Sequence, residues 1–391
     1  MTSPGVEHDT PHLPDPEAYL DDPRFHQSFT LPETASLPQP FKVTYCDYGY
    51  RNPENPDLEH VVLMCGPLLG SRWLNVAKDT LAKRHRVRVL DVDRPGFGAS
   101  TRLPHPGARV AAFLAVVPAL LARLGVRRLA GVVAHSGGAV YALNVLLHLR
   151  HLLRPTRPYA ALLAPWVHPR RSGVSVMALA AGLPEGVVAG FDKVAGFMVG
   201  SLGPVVGFSE MTSGVVSGWF SGGGKKKEEE DEGEMVRFEE VLQDPLVARV
   251  YAEDVSGLGQ EAVLLLKKGA CAAGAWGGWE DHDEYVARLA EEVRREGERL
   301  RVDVFFAESD GMIGTGAGPG WFSECWGAER RGDGIAYRSW VVPGTDHDSI
   351  VGLKFGVHER IFRAVAGEDE EGGVGSGVPG EPAVQVGAVS V

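Results

Sequence analysis

The residue best placed to act as a nucleophile in this sequence is Ser136. It follows an apolar run that ends at Ala134, and a helix-like apolar stretch begins at Ala139. A strand, a sharp turn with a serine at its tip and a helix together form the arrangement called a nucleophile elbow. Such a turn is strained and brings two backbones close together, so it requires small residues. The common pattern is Gly-x-Ser-x-Gly, and here Ala134 replaces its first glycine while Gly138 supplies the second.

A serine hydroxyl is a weak nucleophile and needs a histidine base and an acid that orients this base. In enzymes built on such an elbow, the acid and then the histidine follow the serine, each in a loop after a later strand. Asp310 and His347 each follow an apolar, β-branched run in the last quarter of the chain. We therefore predict Ser136 as nucleophile, His347 as base and Asp310 as acid. Glu308 remains an alternative acid two residues earlier.

Four further polar residues near these motifs have simpler interpretations. His135 precedes the predicted nucleophile, and we interpret it as a packed or cap-contacting histidine rather than a second base. Asp346 and Asp348 flank His347, and we interpret them as solvated loop carboxylates, although neighbouring charges of this kind can tune the pKa of a histidine. The turn that contains Arg94 is interpreted as structural.

The rest of the sequence predicts the elements that hold these residues. Apolar runs typical of buried parallel strands alternate with helical stretches. The predicted strands cover residues 41–46, 61–65, 87–92, 129–134, 159–163, 302–306 and 340–342, and the predicted helices of the first half cover 73–83, 111–124 and 139–149. Because parallel strands end at one edge of a sheet, we expect the serine, the acid and the histidine to meet there.

A long segment without strands interrupts this alternation. We predict a core split into two halves by an inserted helical cap, with an irregular N-terminal extension and a disordered C-terminal tail. In chain order the segments are 1–38 (extension), 39–165 (core), 166–300 (cap), 301–366 (core) and 367–391 (tail). Within the cap, residues 221–234 are glycines, lysines and mostly acidic residues, and we expect a disordered insertion there.

Composition excludes several classes of function. The chain has 391 residues and a net charge of −12, which disfavours nucleic acid and anionic membranes as partners. Its longest apolar run, residues 110–122, is too short to span a bilayer, and its N-terminus lacks the apolar stretch of an export signal. The four cysteines show no paired spacing, and His148 and His151 lack a third ligand. We therefore expect a cytoplasmic protein without a membrane span, metal or cofactor.

Four motifs together resemble the α/β-hydrolase superfamily, over about residues 41–165 and 300–365. Residues 93–100 resemble its D-x-P-G-x-G-x-S turn, residues 134–138 resemble its elbow, and the loops of the predicted acid and base resemble its acid and base loops. The resemblance implies an α/β fold with a mainly parallel central sheet flanked by helices. It also implies a helical cap where the alternation of strands and helices breaks.

The resemblance further implies an oxyanion hole made of two backbone N–H groups. One belongs to the residue after the nucleophile, Gly137. The other lies in the loop after the third strand, where this chain has Cys65, Gly66, Pro67 and Leu68. Cys65 stands where the family usually has histidine, and Pro67 has no N–H to donate. We therefore expect Leu68 to be the second donor, from a slightly shifted loop.

A serine at the elbow implies a hydrolase that cleaves an ester, thioester or lactone through an acyl-enzyme, without a cofactor. Small and apolar residues dominate the predicted cap, so the expected partner is a hydrophobic small-molecule acyl substrate. Epoxide hydrolases and dehalogenases of this family carry aspartate at the elbow and are therefore disfavoured. A C–C bond hydrolase, a haloperoxidase, an acyltransferase and a non-catalytic small-molecule-binding protein of the same fold remain alternatives.

Overall fold

A central β-sheet organises the computed structural model, which describes residues 13–34, 37, 39–191 and 228–369. The strands of these residues are Gln27–Leu31 (β1), Phe41–Gly49 (β2), His60–Cys65 (β3), Val87–Val92 (β4), Gly131–His135 (β5), Tyr159–Leu163 (β6), Leu300–Ser309 (β7) and Ile335–Asp346 (β8). They form one sheet in the order β1-β2-β4-β3-β5-β6-β7-β8. Only β2 pairs antiparallel with its neighbours, and all other pairings are parallel. The predicted mainly parallel sheet is confirmed.

Helices cover both faces of this sheet. The α-helices of the described residues are Pro16–Leu20 (α1), Asp79–Arg84 (α2), Arg109–Arg123 (α3), Gly138–His148 (α4), Pro169–Ser172 (α5), Ser175–Gly182 (α6), Glu185–Ala189 (α7), Glu228–Ala252 (α8), Gly257–Leu265 (α9), His282–Glu296 (α10), Ala317–Cys325 (α11), Ala328–Arg331 (α12) and Val357–Ala366 (α13). Side chains alternate between the two faces of a strand, so in β3 Val61 and Leu63 face one layer and Val62 and Met64 the other. The first layer contains α3, α4, α10 and α11, and the second contains α2, α8 and α13.

Residues Pro106–Arg123, which include α3, form the one described helical stretch long and apolar enough to cross a membrane. Its apolar side chains, including Val110 and Phe113, are buried in the first layer, and α3 packs against α4. A core helix of a sheet domain must bury one face in this way.

Residues 16–31 form regular structure, so the prediction of an irregular extension over residues 1–38 is wrong there. Asp15 accepts a hydrogen bond from the first turn of α1 and caps this helix. β1 then adds an edge strand to β2, and Phe25 packs its ring edge against Tyr48. The sequence pattern does not predict this strand. The side chains of this edge strand are only partly buried, so they need not form an apolar run.

The segment between β6 and β7 contains helices α5 to α10. Its described residues, 166–191 and 228–299, contain no strand. The predicted boundaries of the cap, at residues 166 and 300, stay a prediction. α10 packs an apolar face into the layer that covers the sheet, with Tyr285 and Leu289 fully buried. Its charged residues face outward, as its composition predicts.

The charged run in the cap is partly helical. α8 begins at Glu228, so residues 228–234 of the expected disordered insertion form a helix. Glutamate has a high helix propensity, so a run of glutamates is compatible with a helix as well as with a solvated loop. Residues 221–227 of that insertion and residues 370–391 of the expected tail lie outside the described residues. The described start of the tail contacts the core, since Glu368 forms an ion pair with His85.

Candidate active site

β5 and α4 place Ser136 at the tip of a tight turn. Its backbone is left-handed, with a φ of 51°, which is a strained conformation for a residue other than glycine. The N–H groups of Ala139 and Trp166 donate to the Ser136 carbonyl and hold the turn. Gly138 is required beside it, because a Cβ there would overlap the carbonyl oxygen of Cys65. The turn therefore has the geometry of the predicted elbow.

The structure brings the predicted nucleophile, base and acid into one hydrogen-bonded row. His347 Nε2 lies 2.7 Å from Ser136 Oγ, and His347 Nδ1 lies 2.7 Å from Asp310 Oδ2. All three residues are buried. The other oxygen of Asp310 accepts hydrogen bonds from the N–H groups of Met312 and Ile313, which fix the carboxylate. In such a row the histidine can take the proton of the serine hydroxyl.

The surroundings of the acid and base set their protonation. Burial alone would raise the pKa of Asp310, but the hydrogen bond and charge of His347 outweigh it and lower this pKa. Burial alone would lower the pKa of His347, but Asp310, and after it Asp348 and Asp346, raise this pKa above its ordinary value. Glu308, the alternative acid, is exposed and accepts a hydrogen bond from the N–H of a glycine in the base loop instead. The geometry favours Asp310 as the partner of the histidine.

His135 contacts the base loop rather than the cap. Its Nε2 lies 2.7 Å from the backbone carbonyl oxygen of His347 and must carry the proton that this bond needs. Burial, and after it the charge of His347, lower the pKa of His135 to about 3. The imidazole is therefore neutral at physiological pH, and its only described role is to hold the loop of the base.

His135, His347 and Asp348 also bring three possible metal-ligand atoms within 4.8 Å of one another. Both ring nitrogens of His347 are already hydrogen-bonded, one to Ser136 and one to Asp310. A metal ion would have to break one of these bonds and also compete with the bond of His135 Nε2. The arrangement suits proton transfer better than metal binding.

The two predicted oxyanion donors lie next to each other. A Cβ built on Gly137 would lie 3.5 Å from the backbone nitrogen of Leu68. Within the described residues neither N–H donates a hydrogen bond, so both can serve a ligand. The carbonyls of Gly66, Pro67 and Leu68 all accept hydrogen bonds from the guanidinium of Arg94. One arginine thus holds the whole loop that follows β3.

Arg94 also joins this loop to the cap. Its Nε donates to Glu261 Oε1 of α9 over 2.9 Å, and the same oxygen accepts hydrogen bonds from Arg109 and Tyr141. The two arginines and the glutamate are at most 2% exposed. Burial alone would raise the pKa of Glu261, but Arg109 and then Arg94 outweigh it and lower this pKa. A buried, charged cluster therefore connects the cap to the core beside the predicted oxyanion hole.

Apolar side chains surround this part of the site. A Cβ on Gly137 would lie 2.6 Å from Cδ1 of Leu265, the last residue of α9, so the cap reaches the elbow itself. Leu68 packs against a small apolar cluster formed by Phe97 and Leu258. A substrate at the elbow would meet few polar groups on this side.

Three residues of the site were not predicted to have a role in it, namely His135, Arg94 and Glu261. The sequence predicts a packing or cap-contacting role for His135 and a structural turn at Arg94, and it predicts no role for Glu261. Glu261 carries the clearest signal, because it is the only charged residue of the mostly apolar helix Gly257–Leu265. Charged residues are rarely buried without a partner, so such a glutamate indicates a buried ion pair.

Compared by sequence, the chain matches no protein-family profile and no curated protein. Solved structures do resemble it. An esterase designated E22 superposes with a TM-score of 0.50 at 13% identity, over 87% of this chain and 99% of the esterase. An enol-lactonase from Burkholderia xenovorans gives 0.48 at 12% identity over 87% and 98%, and an epoxide hydrolase from Vigna radiata gives 0.47 at 14% over 89% and 98%. The sheet topology and the first of these similarities show that this chain has the α/β-hydrolase fold.

Proposed function

We propose that this protein is a serine hydrolase that cleaves an ester, thioester or lactone of a hydrophobic small molecule through an acyl-enzyme. The observation that carries this proposal is the row from Asp310 through His347 to Ser136, with both hydrogen bonds at 2.7 Å. A serine that donates to a histidine, which a buried carboxylate orients, has the activation that a hydroxyl nucleophile needs.

In the proposed mechanism, Ser136 Oγ attacks the carbonyl carbon while its proton moves to His347 Nε2. The carbonyl oxygen becomes an oxyanion that accepts hydrogen bonds from the N–H groups of Gly137 and Leu68. His347 then donates the proton to the leaving oxygen or sulfur, and the acyl group stays on the serine. Water, deprotonated by His347, releases the acid. Asp310 remains ionised throughout and stabilises the imidazolium.

The apolar surroundings of the elbow support a hydrophobic acyl group. Leu265 lies against Gly137, and Leu68 and Phe191 pack on the cluster of Phe97 and Leu258. Burial of apolar substrate surface against such side chains contributes roughly 25 cal/mol per Å². A charged acyl group would lose its hydration there without gaining a partner.

The cytoplasm is the proposed compartment. All four cysteines are free and buried, which is the usual state of thiols in a reducing environment. Burial, the main cause, raises the pKa of the Cys65 thiol next to the elbow far above its ordinary value, so this thiol is no competing nucleophile.

A fluorophosphonate probe tests the proposal directly, because it labels only an activated serine. We expect labelling of the wild-type protein and none of Ser136→Ala. Ser172→Ala is a matched control, since Ser172 is also buried but donates only to the carbonyl of Pro169. A series of p-nitrophenyl esters should show kcat/KM rising with acyl length.

Absence of labelling in the folded wild-type protein would contradict an activated serine and favour a non-catalytic binding protein of this fold. Labelling that survives in Ser136→Ala would assign the nucleophile elsewhere. Faster turnover of the acetyl ester than of longer esters would contradict the hydrophobic acyl substrate while leaving the hydrolase intact.

A further inference from the structure

Arg94 has a place in the site that the proposed mechanism does not use. Its Nη1 donates to the carbonyl of Gly66 over 2.6 Å, and its Nη2 donates to the carbonyls of Pro67 and Leu68. We propose that Arg94 is a positioning residue for the oxyanion hole, which orients and polarises the peptide that joins Pro67 to Leu68. This inference rests on the proposed function, because it concerns the oxyanion that Ser136 would generate.

Peptide geometry provides the first argument. The described residues contain no cis peptide bond, so the C=O of Pro67 and the N–H of Leu68 point in opposite directions from one planar unit. Since Arg94 binds that C=O, the N–H of Leu68 must point away from the guanidinium. The nitrogen of Leu68 lies 3.5 Å from the Cβ position of Gly137, so the N–H of Leu68 lies beside the residue that carries the other predicted donor.

The shape of the loop supports the same role. The backbone N–H of Arg94 donates to the carbonyl of Gly70, and a Cβ on Gly70 would lie 2.6 Å from Arg94 Nε. Both ends of the loop from residue 66 to residue 70 therefore contact Arg94, and the loop encloses the guanidinium. Because Pro67 cannot donate, Leu68 is the donor that this enclosure brings to the elbow.

The positive charge of Arg94 accounts for the second part of the proposed role, the polarisation of the peptide between Pro67 and Leu68. Arg94 is 2% exposed, and its positive charge lies on the far side of the peptide from the predicted oxyanion. A hydrogen bond to the carbonyl of a peptide strengthens the donor character of its N–H, and this effect is larger in a dry site. The peptide would thus transmit part of the charge of Arg94 to the oxyanion in the transition state.

The test compares two buried arginines in the same conservative change. Arg94→Lys keeps the charge but cannot serve three carbonyls and Glu261 together. Arg72→Lys is the matched control, because Arg72 is also buried and its guanidinium pairs with the carboxylates of Asp93 and Glu253. It lies over the Trp73 ring and, within the described part of the chain, donates no hydrogen bond to the carbonyls of residues 66–68. For Arg94→Lys we expect kcat about 10²-fold lower, the loss typical of one missing oxyanion donor, with KM unchanged.

A second readout separates positioning from general destabilisation. A trifluoromethyl ketone captures the serine as a hemiketal whose alkoxide occupies the oxyanion hole, so its affinity should fall with kcat in Arg94→Lys and not in Arg72→Lys. Gly70→Ala displaces the guanidinium without removing any charge, and we expect the same selective loss of kcat. This variant keeps the test decisive if Arg94→Lys does not fold.

The inference is overturned if Arg94→Lys or Gly70→Ala keeps the wild-type kcat, if the loss appears only in KM, or if Arg72→Lys loses kcat to the same extent. A wild-type protein that is labelled by the fluorophosphonate while these variants stay fully active would refute only the role of Arg94. A wild-type protein that is never labelled would refute the proposed function and this inference together.

Discussion

The imidazole of His135 donates a hydrogen bond to the backbone carbonyl of His347, 2.7 Å away. The two histidines stand next to the predicted nucleophile and at the predicted base, so this bond connects the end of β5 directly to the loop after β8. The distance between Ser136 Oγ and His347 Nε2 therefore depends on the hydrogen bond of His135 as well as on the hydrogen bonds within the row of Ser136, His347 and Asp310.

We expect His135→Phe to make the position of the predicted base, His347, less fixed while leaving its imidazole in place. The phenyl ring keeps most of the volume but leaves the buried carbonyl of His347 without its donor, which lowers the free energy of unfolding by about 1–3 kcal/mol. kcat should fall because the base no longer lies at a fixed distance from the serine. Urea unfolding and steady-state kinetics measure both effects. His358→Phe is the control, since His358 is also buried and lines a small cavity together with His135. Among the described residues, no hydrogen bond joins His358 to Ser136, His347 or Asp310.

The rate should depend on pH through His347. Only the neutral imidazole accepts the serine proton, and its pKa lies above the ordinary 6.5, so kcat/KM should fall as the pH drops through this raised value. Burial lowers the pKa of His347 and Asp310 raises it, so Asp310→Asn should move the midpoint to lower pH. The same variant should reduce kcat by about 10⁴-fold, because the asparagine no longer stabilises the required tautomer.

The rate of fluorophosphonate labelling as a function of pH measures this midpoint even in slow variants. Glu308→Gln is the matched control, because Glu308 binds the base loop through the N–H of Gly344 without touching the imidazole. Its midpoint should equal that of the wild-type protein. A midpoint for Asp310→Asn at or above the wild-type value would show that Asp310 does not set the pKa of His347.

Gly138→Ala should damage both the fold and the site. Its Cβ would overlap the carbonyl oxygens of Cys65 and Gly66, so the end of β3 and the oxyanion loop must move. Overpacking of this kind costs about 1–3 kcal/mol of unfolding free energy. Gly186→Ala in α7 is the control, because a Cβ there has no neighbour within 4 Å and should stabilise the helix by about 0.5–1 kcal/mol. Equal stability of the two variants in chemical unfolding would contradict the close approach.

Glu261→Gln should strongly destabilise the attachment of the cap. The substitution leaves Arg94 and Arg109 buried without their shared carboxylate, a loss of about 3–5 kcal/mol in the free energy of unfolding. Arg102→Gln removes another ion pair between the core and the cap, with Asp254, but the Arg102 side chain is 68% exposed. Its loss should be about 0–1 kcal/mol and should shrink in salt. A similar loss for both variants would mean that the buried cluster does not hold the cap.

Much of the fold follows from local patterns. The runs 87–92 and 159–163 predict the bounds that β4 and β6 have. Residues 159–163 are apolar or aromatic throughout, as a strand buried on both faces requires, whereas the buried Arg88 and Asp91 interrupt the apolar run of β4. β1 escaped the same reasoning, since an edge strand covered on one side can carry serine and threonine. α10 lies in the strand-free segment predicted as the cap, and its charged composition predicts a surface helix, although Tyr285 and Leu289 are buried.

The order of the chemical groups follows from the sequence alone: a serine in a strained turn, then an acid and a histidine after later strands that end at one edge. The groups that surround this row follow only from the three-dimensional packing of the chain. Arg94 and Glu261 are 167 positions apart, and His135 and His347 are 212 apart, so no local pattern connects them. Such pairs form when buried charges and carbonyls must find partners in a dry interior, and which partners they find depends on how the strands and the cap pack.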